Sequence, residues 1–239
     1  MKTVLITGAA RGLGNGILIK HLEDGDNCLA IVRNETDGMA ALKKQYGEQL
    51  DIFICDVADN VAVETLSKQL EERVKHIDIV YNVAGVNHLE VGRNPLRKTD
   101  LSDDEMLYIY NVNAVGPMRI CKAVWNLIDK DSVVMNVSSE SGSIGECQRK
   151  GEYAYCMSKA ALNMGTKLLG NELNAIGARV FCTHPGWVRT DMGGPEAAAS
   201  EYSVSIEESA EHLVAIARKG HSYPMDVMFL DHTGRVWSW

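Results

Sequence analysis

Short apolar runs alternate with longer amphipathic stretches along the whole 239-residue chain. Seven runs read as β-strands, at 3–7, 28–32, 51–55, 77–82, 132–137, 178–183 and 227–230. Several are almost continuously apolar, the pattern of parallel strands covered on both faces. Stretches of helical periodicity separate them, at 12–23, 36–46, 59–75, 103–128, 155–175 and 206–218. Ser102-Asp103-Asp104-Glu105 and Ser205-Ile206-Glu207-Glu208 have the capping-box form, in which a serine oxygen takes an otherwise orphaned amide at a helix start. Such alternation predicts right-handed crossovers and an α/β fold built on a doubly wound parallel sheet of about seven strands flanked by helices. No linker, repeat or low-complexity segment divides it, so residues 1–239 read as one domain. In such a sheet ligands bind beyond the carboxyl ends of the strands, and the loops there are the place to look for chemistry.

Composition narrows the function classes. A hydrophobic content of 46% supplies ample core, and 24 basic against 32 acidic side chains leave a net charge of −8. That field repels phosphates, which argues against nucleic acid and anionic membranes as partners. No apolar run approaches the ~20 residues of a membrane span. Met1-Lys2 runs straight into the first strand without the apolar region of a signal peptide, so a cytoplasmic location is expected. The six cysteines include no C-x-x-C pair and the seven histidines no H-E-x-x-H, so neither a disulfide nor a metal site is expected.

The first strand ends in Thr7-Gly8-Ala9-Ala10-Arg11-Gly12-Leu13-Gly14, and a helical stretch follows at once. Glycine permits positive φ and brings backbone close to a pyrophosphate, whose charge suits the exposed amides of a helix start. Gly8, Arg11, Gly12, Leu13 and Gly14 are therefore candidate cofactor contacts. The spacing G-x-x-x-G-x-G resembles that of the short-chain dehydrogenase/reductase superfamily, and the resemblance extends over essentially the whole chain. It implies a Rossmann-type fold, with cofactor binding mainly in 1–130, and catalysis and substrate binding mainly in 131–239.

Strand two ends Ile31-Val32-Arg33-Asn34, with valine where an NAD site usually has a carboxylate. Arg33 and Arg11 offer guanidinium groups to a ribose phosphate, so NADP(H) is expected in preference to NAD(H), although Glu35 could still reach the ribose. The resemblance implies that Asp56 meets the adenine amino group, that Val57 packs on the ring, and that Ala84 and Gly85 leave room beside the cofactor ribose. Asn82 is expected to bond across to neighbouring strands.

Tyr155-Cys156-Met157-Ser158-Lys159 is a Y-x-x-x-K motif whose i, i+4 spacing puts both side chains on one helical face. A free phenol has a pKa of about 10, too high for efficient proton exchange near neutrality. The Lys159 ammonium and an oxidised nicotinamide are both expected to favour the phenolate. Tyr155 would then donate a proton to a carbonyl or remove one from an alcohol. In Asn136-Val137-Ser138-Ser139-Glu140-Ser141-Gly142 the family's catalytic serine matches Ser139, with Ser138 and Ser141 as runners-up. Asn113 matches the family asparagine that completes a proton path beside the lysine; Asn111 is the alternative. The run from Pro185-Gly186 to Val188 and Thr190 resembles the family's nicotinamide-holding turn, and about 190–205 reads as a substrate lid.

The interval from Ser139 to Tyr155 is about three residues longer than the common family pattern. Gln148 or Arg149 is therefore expected to overhang the pocket. Tyr153-Ala154-Tyr155, the run 185–195 and the tryptophan-ended tail resemble carbonyl reductases of the sniffer and C-factor type. Trp237 and Trp239 are expected to cover the substrate mouth or a neighbouring subunit. Ala161, Gly165, Leu168 and Leu169 suggest an apolar strip for a homodimer or homotetramer. These features imply an NADP(H)-dependent oxidoreductase acting on a small or medium carbonyl or alcohol; the alternative is a dinucleotide-binding sensor of the same fold without turnover.

Overall fold

A computed structural model of the chain describes residues 1–87 and 102–239, together with Leu96. Its strands are β1 (Thr3–Thr7), β2 (Asn27–Val32), β3 (Leu50–Ile54), β4 (Ile79–Asn82), β5 (Val133–Val137), β6 (Arg179–His184) and β7 (Phe229–Asp231). All pair in parallel in the order β3-β2-β1-β4-β5-β6-β7. The order reverses between β1 and β4, and the crevice this opens lies at their carboxyl ends. The helices are α1 (Gly12–Glu23), α2 (Asp37–Tyr46), α3 (Asn60–Arg73), α4 (Asp103–Tyr110), α5 (Gly116–Ala123), α6 (Tyr153–Leu173), α7 (Gly194–Ala199) and α8 (Ile206–Arg218).

Strand alternation splits the core into two layers. On one face Val4, Ile6 and Tyr81 pack with Ile17 and Leu18 of α1 and Leu213 of α8. On the other, Leu5 and Val80 pack with Leu66 of α3, Ile120 of α5 and Leu173 of α6. Both serine caps form: Ser102 Oγ accepts from the Glu105 amide at 3.5 Å and Ser205 Oγ from the Glu208 amide at 3.1 Å.

Strands β4 and β7 begin two residues later than the periodicity predicts, and other elements differ further. The single helix expected over 103–128 is broken: α4 passes into a π-helical turn, Asn111–Val115, before α5. Pro117 has no amide hydrogen to give the Asn113 carbonyl, and the Gly116 amide reaches back to the Asn111 carbonyl instead. Helix α6 starts two residues early, after Glu152, whose φ of 58° is left-handed. The stretch expected as a lid contains α7, and its ends are joined where Val188 pairs with Val204.

Candidate active site

Beyond the carboxyl ends of the strands lies a cleft of about 920 Å³. Gly8 begins it with φ +70°, its amide donating to the Ile31 carbonyl at 3.0 Å. A Cβ on Gly8 would lie 2.9 Å from Ala84 Cα, and one on Gly14 only 2.4 Å from the Gly8 oxygen. The loop is thus packed as tightly as backbone allows. No side chain caps the start of α1, so its first amides and its dipole are directed at the cleft. This is a cradle that fits a dinucleotide pyrophosphate. Thr7 Oγ1 holds the facing loop by accepting from the Val83 and Ala84 amides at 3.0 and 3.1 Å.

Arg11 and Arg33 both line the cleft, but each already has a partner. Arg11 pairs with Asp191 across the cleft at 3.1 Å, and Arg33 donates to the Tyr108 hydroxyl at 3.5 Å. Asn34 and Thr36 line the cleft beside Arg33; Glu35 is not among the lining residues. Gly12, Leu13, Asp56, Val57, Gly85, Pro185, Gly186, Val188 and Thr190 also line the cleft. Asn82 lies behind it, its amide donating to Asn136 Oδ1 on β5 at 2.8 Å.

At the far end Ser139, Tyr155 and Lys159 converge on the same cleft. Ser138 gives its hydroxyl to Asn163 Oδ1 at 2.7 Å, and Ser141 is buried outside the lining, which leaves Ser139 beside the phenol. Asn113 is fully buried in the π-turn, where its Oδ1 accepts from the Val86 amide and its Nδ2 donates to the Val86 carbonyl, both at 2.8 Å. It therefore fixes the loop after β4 from behind. Asn111 faces elsewhere, donating to the Ala58 carbonyl and accepting from Arg119.

The electrostatics of this end differ from expectation. Lys159 Nζ donates to the Val137 carbonyl at 2.9 Å and sits 5.7 Å from the Tyr155 ring centroid. Burial pushes its pKa down to about 8. The Tyr155 phenol is held above its ordinary value, by burial first and by the Glu140 charge second, with a Ser139 hydrogen bond pulling it down. The acidic phenol expected from Lys159 is thus not a property of the chain by itself: the ammonium is desolvated and aimed at backbone, while the Glu140 carboxylate acts on the phenol in the opposite direction.

That carboxylate belongs to a polar rim the motifs did not identify. Ser139 Oγ donates to Glu140 Oε2 at 2.5 Å. Arg149 donates to Glu140 Oε1 through Nε, at 2.9 Å, and through Nη2, and bonds Glu152 through Nη1. Glu152 in turn accepts from Asn87 at 3.1 Å. Of the two overhang candidates, Arg149 lines the cleft and Gln148 does not. The extra loop length was the available signal; the charged partners were not legible. Trp237 packs against His184, a cleft residue, at 5.6 Å between centroids, and Trp239 lies tilted against Phe229 at 5.3 Å; neither lines the cleft itself.

The family model for short chain dehydrogenase matches residues 2–201. The chain belongs to the short-chain dehydrogenase family. It is an oxidoreductase of that family, and its relatives carry dehydrogenase names. It is 33% identical to the 1-hydroxy-2-glutathionyl-2-methyl-3-butene dehydrogenase of Rhodococcus sp. (strain AD45), over 80% of each chain. Among solved structures it resembles the carbonyl reductase Sniffer of D. melanogaster, with a TM-score of 0.87 and 26% identity over 100% of both chains. It also resembles the NADPH-bound carbonyl reductase from chicken fatty liver, with a TM-score of 0.83 and 25% identity over 100% of this chain and 99% of that one. In this dehydrogenase, as the sequence reading expected, one parallel sheet carries the glycine loop and the Tyr155–Lys159 pair at its carboxyl edge.

Proposed function

We propose that the protein is an NADP(H)-dependent carbonyl reductase, or the reverse alcohol dehydrogenase, acting on a small or medium ketone or aldehyde. The carrying observation is the convergence of Ser139, Tyr155 and Lys159 at one end of a cleft whose other end is the glycine cradle. When bound, a nicotinamide dinucleotide supplies or takes up hydride. The Gly8–Gly14 loop and the α1 amides hold its phosphates, Arg33 and Arg11 serve the ribose phosphate, and Asp56 and Val57 take the adenine. Pro185, Gly186, Val188 and Thr190 hold the nicotinamide end, Ala84 and Gly85 leave space for its ribose, and Asn82 braces β4 from behind.

Tyr155 exchanges the proton with the substrate oxygen, and Ser139 bonds that oxygen as charge develops on it. Lys159 and Asn113 complete the proton path. Residues 1–130 serve mainly the cofactor and 131–239 mainly catalysis, with a lid at about 190–205. The protein works in the cytoplasm; its six cysteines are free, which suits a reducing compartment. Among the described residues no helix is long and apolar enough to cross a membrane.

A panel of ketones and aldehydes with NADPH or NADH, followed by loss of the cofactor's absorbance, tests this reading. NADPH should be preferred, and Tyr155→Phe should lower turnover by about 10²- to 10⁴-fold while leaving NADPH binding intact. Faster turnover with NADH, or undiminished turnover in Tyr155→Phe, would refute it.

A further inference from the structure

After β7 the chain turns back on itself. Asp231 Oδ1 fixes the turn by accepting from the Thr233 amide at 2.9 Å, the Thr233 hydroxyl at 2.6 Å and the Arg235 amide at 3.0 Å. The returning tail runs antiparallel to β7: Leu230 bridges to Val236, and the Trp237 amide donates to the Phe229 carbonyl at 2.8 Å. Trp237 then packs against His184 at the end of β6, and the Trp239 ring lies against Phe229, itself buried in the sheet. The tail is thereby held from both sides before it meets the long loop between β5 and α6. There the Gly145 amide donates to the Trp239 main-chain oxygen at 2.8 Å, and Ser238 Oγ donates to Glu146 Oε1 at 3.0 Å. The approach is close, since a Cβ on Gly145 would lie 3.2 Å from that oxygen.

The same loop carries Arg149 into the cleft wall, where it bonds Glu140 and Glu152. Between the two attachments the loop is stiff. Ser143 takes the Cys147 amide on its carbonyl at 3.1 Å and the Glu146 amide on its hydroxyl at 3.0 Å, which makes 143–147 one compact turn. The geometry points to Trp239 as a positioning residue that, seated on Phe229, pins this turn at Gly145 and so sets where Arg149 stands at the substrate end of the cleft. This rests on the reading of the cleft as a reductase site. Ser139, Tyr155 and Lys159 sit on β5 and α6, and the glycine cradle sits between β1 and α1, so loosening Trp239 bears on the loop and leaves those elements in place. Its signature is a weaker grip on the substrate with the chemical step and cofactor binding kept.

Trp239→Ala should raise KM for a carbonyl substrate about tenfold, with kcat held within about twofold. Trp239→Phe keeps a ring for Phe229 and should restore KM. In Arg149→Ala, adding Trp239→Ala should raise KM no further, because the two changes act at one place. Circular dichroism and NADPH fluorescence titration establish that the variants fold and bind. Hydrogen exchange gives a readout without turnover: the amides of residues 145–149 should exchange faster in Trp239→Ala and recover in Trp239→Phe. If the wild type reduced no carbonyl, the proposed reaction would fail while this exchange still decided the role of Trp239. Unmoved exchange or an unmoved KM in Trp239→Ala, a loss confined to kcat, no recovery in Trp239→Phe, or additive effects with Arg149→Ala would overturn the proposal.

Discussion

At the scale of single residues, Lys159 shows how burial rewrites a side chain's chemistry. In the fold it loses its proton near pH 8, while in the unfolded chain it keeps it to about 10.4. Between those values the unfolded chain binds more protons, so the stability that depends on Lys159 rises with pH across that window; its penalty is full below about pH 8 and relieved above about 10.4. Measured against Lys159→Met in denaturant titrations at stepped pH, the wild type should gain about 3 kcal/mol from the lower to the upper end. A flat difference would mean that the buried amine never changes its ionisation. The Y-x-x-x-K spacing placed Tyr155 and Lys159 on one face correctly, because helical periodicity is local. Which way the phenol shifts was not readable, because that depends first on how deeply the fold buries the ring and then on the charge of Glu140, which the motif does not contain.

At the scale of elements, caps were legible and breaks were not. Ser205 and Glu208 are three positions apart, and their bond at 3.1 Å needs nothing beyond the local helix. Ser205→Ala should therefore cost about 1 kcal/mol, seen as a lower unfolding midpoint with the cleft unchanged. An unchanged midpoint would show that α8 is held by its packing on α1 alone. The π-turn at Asn111–Val115 is the contrary case. Apolar periodicity runs through it, and only Pro117 hinted at a break. Pro117 opens the turn locally, and its consequence is tertiary: Asn113 lies where both halves of its amide serve Val86, under the loop after β4.

At the scale of the whole molecule, one exposed apolar surface stands out. Met157, Met164 and Leu168 lie exposed along α6, beside Leu107 and Tyr110 of α4. Leu169, expected in the same strip, turns into the core instead, and Gly165 packs on Met118. We propose that this surface pairs two copies of the chain as a homodimer, or as half of a homotetramer. Met164→Glu with Leu168→Glu should lower the mass measured by light scattering to that of a single chain. A wild type that is already monomeric would remove the idea.

The chain's own order of residues determined the alternation of strands and helices, the glycine loop and the pairing of Tyr155 with Lys159. Each is a relation between residues a few positions apart, or a period repeated along one element, and such relations survive without knowledge of the rest. Tertiary structure alone decided that Ser139 gives its proton to Glu140, that Arg149 clamps it, that Arg11 reaches Asp191 and that Lys159 is stripped of water. Arg11 and Asp191 come from loops after different strands, and Lys159 reaches back to β5. Ser139, Glu140 and Arg149 share one segment, but it has no periodic structure from which the path of its side chains could be read.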